Sequence, residues 1–191
     1  MRVLILVCTL LLPFPAWAHD PPAYVTSWLE RCYEHSAQLF EDAADIMQQP
    51  HDSLSEGEKR LRRRVLLSRH ACAAEPLTVC AHARDEAACL NAATRWFDAR
   101  RSAILQEMPK AVPEGSSLAQ RPFAQRYKAF ANSGGTKVYG VDDDCPEGQT
   151  RPTRIGPVLV TPIQCGTYAA GYRLTWTLRW RDWAKDKAEP Q

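Results

Sequence analysis

The sequence has almost no net charge, because 24 basic and 22 acidic side chains leave only +2 over 191 residues. A balance this even creates no field strong enough to attract nucleic acid or an anionic membrane. Catalytic signatures are also missing, since no Gly-x-Ser-x-Gly, His-Glu-x-x-His or phosphate-binding glycine loop occurs. These absences disfavour a nucleic-acid-binding protein and an enzyme of a common class, and we assign the sequence to no known family.

The longest hydrophobic run lies at the N-terminus. Arg2 precedes apolar residues 3–12, and Ala16 and Ala18 supply the small residues of a secretory cleavage site. The run is about half as long as the ~20 residues that span a bilayer, so we predict a signal peptide over residues 1–18. No later stretch is apolar enough to anchor the chain. We therefore expect a periplasmic or secreted protein with no transmembrane segment in the mature chain.

The cysteine count predicts disulfides. One of the seven cysteines, Cys8, lies in the signal peptide, and the remaining six are Cys32, Cys72, Cys80, Cys89, Cys145 and Cys165. An even number of cysteines in an exported chain is typical of a disulfide framework. The alternative is a metal cluster formed by His70, Cys72, Cys80, His82 and Cys89. The lack of a Cys-x-x-Cys knuckle disfavours it.

The pairing follows from a predicted helical hairpin. Cys32 and Cys72 are placed symmetrically about a loop at residues 50–53, and residues equally far from such a loop face each other. The hairpin predicts the pair Cys32–Cys72. Cys80–Cys89 is then predicted across the turn that starts the third helix, and Cys145–Cys165 is predicted to close the glycine- and proline-rich segment. The alternative joins Cys32 to Cys89 and Cys72 to Cys80, because sequence alone does not choose among the possible arrangements.

Apolar residues recur at spacings of three and four along the first two thirds of the mature chain. This is the period of a helix with one buried face, and prolines and glycines separate the segments. We predict four helices, over residues 21–49, 55–74, 85–108 and 118–131, with residues 109–117 as a linker.

The C-terminal part has a different character. Residues 134–166 hold six of the nine glycines and so disfavour long helices. Short strands are predicted at residues 136–141 and 158–163. Over residues 172–180, large apolar side chains alternate strictly with arginine and threonine, which predicts a third strand. The same segment also carries an aromatic residue at every fourth position, as a helix would.

Together these segments predict an α+β fold. The disulfide-bonded helical region covers residues 19–108, and residues 118–191 add one helix and a small antiparallel β-sheet. Both parts are expected to pack as one domain.

Tryptophans and arginines are concentrated near the C-terminus, in the candidate binding surface Trp176, Trp180, Trp183 and Arg179. Two interpretations remain open: the aromatic side chains either pack as core or form an exposed surface for a glycan or peptide. We predict a non-catalytic binding or structural module of a bacterial-type periplasm or envelope that contacts a protein or a glycan. The alternatives are a hydrolase of an unrecognised class and a metal-binding protein.

The metal hypothesis concerns His19, the first residue after signal cleavage. An imidazole nitrogen is a good copper ligand, and a terminal amine beside it can complete a chelate. Nothing in the sequence places a second histidine near this terminus, and no other cofactor is predicted.

Overall fold

The structure is a computed structural model that describes residues 21–110, 121–133, 150–153 and 156–188. This part of the chain contains the helices α1 (Pro21–Asp42), α2 (Ala44–Gln48), α3 (Glu56–Val79), α4 (Glu86–Glu107), α5 (Arg121–Asn132) and α6 (Pro162–Ala188). The predicted signal peptide, residues 1–18, and most of the predicted linker lie outside the described residues.

Short elements connect the helices. Single turns of 3₁₀ helix cover His51–Ser53 and Cys80–His82. The strands β1 (Thr150–Thr153) and β2 (Gly156–Leu159) pair antiparallel as a two-stranded ribbon.

The predicted α+β fold is wrong, because the segment predicted to form the longest strand of the sheet is helical. Residues 172–180 lie inside α6, and Pro162 begins that helix within the strand predicted at residues 158–163. The strand predicted at residues 136–141 lies outside the described residues. A helix that is buried on several sides needs apolar residues all round, and this need produced the alternation that resembled a strand.

Helix α3 begins at a capping box and runs past its proline. The Ser55 hydroxyl accepts from the Glu58 backbone N–H, and the Glu58 carboxylate accepts from the Ser55 N–H at 2.8 Å. The helix was predicted to end near residue 74, yet it continues through Pro76 to Val79. Because Pro76 and Leu77 are buried in the core, their packing offsets the lost backbone hydrogen bond.

The hydrophobic core lies between α1, α4 and α6. Leu29, Phe97 and Leu174 are fully buried there, one from each helix. Helix α5 covers the C-terminal half of α6 through Tyr127 and Phe130, which are also buried. α6 is thus the central element, with neighbours on several of its faces.

Two of the three predicted disulfides are confirmed in the described residues. Cys32–Cys72 links α1 to α3 across 40 residues, and Cys80–Cys89 links the turn after α3 to α4 across 9 residues. Cys165 is also disulfide-bonded, and its predicted partner Cys145 lies outside the described residues. Disulfides persist in oxidising compartments, which is consistent with a periplasmic or extracellular location.

Among the helices in the described ranges, none combines the length and the hydrophobicity needed to cross a bilayer.

Candidate functional site

A cleft of about 300 Å³ opens between α1, α4 and α6. This volume is at the small end of the range for ligand sites in proteins, about 300–1,000 Å³. The α1 residues that line it recur at helical spacing and so share one face of that helix. The lining residues are Glu30, Tyr33, Glu34 and Ala37 from α1, Arg69 from α3, Trp96 and Arg100 from α4, and Leu174, Leu178 and Arg181 from α6.

Arg69 forms the floor of the cleft. Its side chain is only 5% exposed, and its Nη1 donates to Asp182 Oδ2 at 2.6 Å. The guanidinium also lies over the Phe40 ring, 4.0 Å from the ring centre. A charge-assisted hydrogen bond and a cation–π contact therefore hold this buried cation in one position.

Asp182 is shared between two arginines. While one carboxylate oxygen accepts from Arg69, the other accepts from Arg181 Nε at 3.0 Å and from Arg181 Nη2 at 2.8 Å. Two guanidinium groups thus face a single carboxylate. Since the Arg69 guanidinium makes no second hydrogen bond to a described residue, positive charge and unused N–H donors remain at this end of the cleft.

Tyr33 forms the aromatic wall. Its ring packs against Trp96 and Phe97, with ring centres 5.6 Å and 6.3 Å away. Its hydroxyl lies 3.3 Å from Thr175 Oγ1 and donates to the Gly171 carbonyl at 3.4 Å. Burial raises the pKa of Tyr33 well above its ordinary value, although the Thr175 hydrogen bond and the Arg69 charge act in the opposite direction. The hydroxyl therefore stays protonated at neutral pH.

Thr175 connects three of the helices beneath the cleft. Its hydroxyl lies 3.2 Å from the Arg69 carbonyl oxygen on α3 and 3.3 Å from the Tyr33 hydroxyl on α1. Thr175 itself belongs to α6 and is buried. A buried polar group held by such contacts specifies one arrangement of its neighbours, and the floor of the cleft is therefore preformed.

Glu30 and Glu34 lie on α1 at the exposed margin of the cleft, and Arg100 lies on α4. Within the described part of the chain, these three side chains form no ion pair. Their charges are solvated and accessible to a ligand that enters the cleft.

The predicted binding surface is divided between core and exterior. Trp180 is 8% exposed and stacks on Phe130, with ring centres 5.8 Å apart. Trp183 is half-buried against Trp180. Trp176 is half-buried, and the exposed Arg179 guanidinium lies 4.9 Å above its ring. The accessible part of this set therefore consists of the half-buried Trp176 and Trp183 and the exposed Arg179.

Trp176 is also the last residue of an aromatic ladder on α6, which we define as Tyr168, Tyr172 and Trp176. Neighbouring ring centres are 6.0 Å and 6.3 Å apart, and all three side chains are half-buried. His70 of α3 lies beside it, 5.2 Å from the Tyr172 ring. Burial, with a smaller effect of the Arg179 charge, lowers the pKa of His70 below its ordinary value. The fourfold spacing of these aromatic residues was the signal for this stripe.

The metal hypotheses receive no support from the described residues. His19 lies outside them, and Cys72 and Cys80 are bonded to other cysteines, so neither thiolate is available to a metal. In the described ranges no group of three or more potential ligands converges.

Sequence reasoning did not find the cleft. Its residues come from four helices, and helical spacing groups the lining residues of α1, α4 and α6 only within each helix, without showing that these faces meet. Arg181 belongs to the arginine- and tryptophan-rich C-terminal segment, but nothing in the sequence connects it with Arg69. That connection depends on Asp182, which accepts hydrogen bonds from both.

Comparison of the chain with models of protein families, with curated proteins and with solved structures finds no match in any of the three.

Proposed function

We propose that this protein is an exported, non-catalytic binding module of a bacterial-type periplasm or envelope, and that its cleft receives a segment of a partner protein. The proposal rests on one observation, the environment of Arg69. This buried guanidinium is held by Asp182 and Phe40, and some of its N–H donors have no partner among the described residues. A buried charge with unused donors at the base of a recess is suited to a ligand of opposite charge.

Preorganisation supports binding at this position. The Cys32–Cys72 disulfide joins α1 to α3 next to Tyr33 and close to Arg69, and Thr175 ties both helices to α6. A rigid site loses little conformational entropy when a ligand binds, so more of the interaction energy appears as affinity.

The chemistry of the lining favours binding over hydrolysis. The lining residues include no histidine, serine or cysteine, and the Tyr33 hydroxyl is buried and protonated. Carboxylates at an exposed margin and arginines bonded to an aspartate are suited to recognising charge rather than to activating a nucleophile.

Site-specific photo-crosslinking in intact cells tests the proposal. A photoreactive p-benzoylphenylalanine placed at Ala37, inside the cleft, is expected to yield a discrete adduct with one envelope protein. The matched control carries the same group at Ala99, which is exposed on α4 and does not line the cleft. Equal adducts from both positions, or none from position 37, would contradict the proposal.

N-terminal sequencing of the purified protein should begin at His19 if the chain is exported as proposed.

Glycan binding at the aromatic ladder is a second candidate function. It is favoured by the half-buried ring stack and by Trp176 Nε1, a buried donor with no hydrogen-bond partner among the described residues. Titration with an N-acetylhexosamine tetramer should then shift the Trp176 indole N–H resonance in NMR spectra. A Tyr168→Ala variant that leaves this shift unchanged would contradict glycan binding here.

A further inference from the structure

The charges around the cleft indicate the chemical class of its ligand. We propose that the cleft binds a zwitterionic peptide segment, in which a carboxylate and an ammonium group flank one apolar side chain. The inference rests on the proposed function, because it specifies what the same cleft recognises.

The carboxylate would bind at the Arg69–Arg181 end. These two guanidinium groups share the single carboxylate of Asp182, so one positive charge remains uncompensated there. Arg69 is almost fully buried and has donors that no described residue uses. A ligand carboxylate would supply the missing negative charge and accept from these donors, and hydrogen bonds of this charge-assisted kind are among the strongest in proteins.

The ammonium group would bind at the α1 margin. Glu30 and Glu34 are one helical turn apart on the face that lines the cleft, and neither is paired with a described cation. Two adjacent carboxylates attract a cation and repel a second anion. They therefore set the orientation of the ligand as well as its charge.

The apolar side chain would lie between the two charged ends. The half-buried rings of Tyr33 and Trp96 and the largely buried Leu178 supply the apolar lining there. The volume of about 300 Å³ admits a short segment rather than a folded domain. Aromatic and aliphatic walls add affinity through burial without selecting charge.

The charge balance of the cleft disfavours ligands of one sign. The positive charges of Arg69, Arg100 and Arg181 are matched by the negative charges of Glu30, Glu34 and Asp182, so these groups sum to zero. A ligand with net charge of either sign would upset this balance. A zwitterion preserves it and places each charge next to its opposite.

Binding of small peptides to the whole mature protein tests the inference. The probe is alanyl-phenylalanine with both ends free, and the comparison ligands are its N-acetylated and C-amidated forms. Each is titrated into the protein while the Trp96 indole N–H resonance is followed by NMR. The free dipeptide is expected to shift this resonance, and blocking either end should raise the dissociation constant about tenfold, as expected for one lost charge-assisted hydrogen bond.

Variants assign the two ends separately. Glu34→Gln should weaken the free dipeptide about threefold, because exposed charges contribute modestly, and should reduce the effect of N-acetylation. Arg181→Gln should reduce the effect of C-amidation instead. The matched controls are Glu41→Gln and Arg95→Gln, two exposed residues that do not line the cleft.

Equal shifts of the Trp96 resonance with all three ligands, or no shift with any of them, would overturn the zwitterion inference. The proposed function would survive either result if Ala37 still forms its specific adduct in cells. If position 37 forms no adduct in cells, the cleft is not a docking site for a partner protein and the proposed function is refuted. Binding of the dipeptide in the NMR titration would then show only that the cleft has affinity for a small zwitterion.

Discussion

Gly171 of α6 lies against Ala73 of α3 so closely that a Cβ added to the glycine would come within 2.9 Å of the alanine Cα and Cβ. The same added atom would lie 2.9 Å from the Phe97 ring on α4. Neither the Ala73 backbone nor the fully buried Phe97 ring can shift easily to make room for this atom, because the interior is closely packed. The missing side chain therefore lets three helices approach one another, and it leaves the Gly171 carbonyl within reach of the Tyr33 hydroxyl.

Substituting this glycine should destabilise the protein even though alanine favours helices. We expect Gly171→Ala to lower the free energy of unfolding by about 1–3 kcal/mol, because overpacking outweighs the gain in helix propensity. Gly166 lies in the same helix with nothing within 4 Å of an added Cβ. Gly166→Ala should therefore raise stability by about 0.5–1 kcal/mol. Urea denaturation measures both, and a Gly171→Ala variant as stable as the parent would contradict the close packing.

The two disulfides should contribute unequally. Replacing Cys32 and Cys72 with alanine removes a bond that closes 40 residues, whereas the same change at Cys80 and Cys89 opens a loop of 9. In the chain-entropy model these losses are about 4 and about 2.5 kcal/mol. Denaturant midpoints of the two double variants provide the comparison. A larger loss from the shorter loop would show that native packing, rather than entropy of the unfolded chain, dominates.

The Arg69–Asp182 pair should matter more than an exposed ion pair. Asp182→Asn leaves buried Arg69 without its carboxylate, and we expect a loss of about 1–3 kcal/mol in the free energy of unfolding. Glu56–Lys59 on α3 is the exposed reference pair, with the Glu56 side chain 77% exposed. Glu56→Gln should cost no more than about 0.5 kcal/mol. Thermal or urea unfolding checks both, and equal effects would contradict a structural role for Arg69.

His70 should make the folded state sensitive to mild acid. Burial and the nearby Arg179 charge lower the His70 pKa in the folded state below its ordinary value of 6.5. Because the unfolded chain binds this proton first, the free energy of unfolding should fall as pH decreases from about 6.5 towards the lower folded pKa. Above that window, His70 is neutral in both states and contributes no pH dependence.

NMR titration of the His70 ring protons measures the folded pKa directly. Arg179→Gln should move it upward, since one of the two causes is removed. A His70→Gln variant is the control for the stability measurement. Because it has no imidazole to protonate, its free energy of unfolding should fall less between pH 6.5 and the lower folded pKa. An unchanged slope of stability against pH in that variant would refute the assignment to His70.

Local signals in the sequence were sufficient for much of the N-terminal half. Two overlapping capping-box patterns, Ser53-x-x-Glu56 and Ser55-x-x-Glu58, indicate in the sequence that a helix begins here. The structure contains both hydrogen bonds of the second pattern. The symmetric placement of Cys32 and Cys72 predicted a disulfide that the structure contains. These features depend on short-range hydrogen bonds and on chain geometry, which a single sequence displays directly.

α6 was mispredicted because its pattern reflects its neighbours. Leu174 and Thr175 are both buried although adjacent residues project about 100° apart around a helix, and Trp180 also packs against Phe130. With several buried faces, the helical period is obscured, and the remaining alternation of large and small side chains resembled a strand. Which faces are buried is known only once α3, α4 and α5 are in place.

By itself, the sequence determined the starts of α3 and α4 and the apolar spacing that makes α1 amphipathic, and it favoured the Cys32–Cys72 pair over its alternative. Only the tertiary structure decided that Arg69 of α3 and Arg181 of α6 would share Asp182 and line one cleft together with Glu30 and Glu34. The physical reason is that spacing along one helix specifies which residues share a face. The meeting of faces from different helices depends on close packing, such as the contact that Gly171 permits with Ala73.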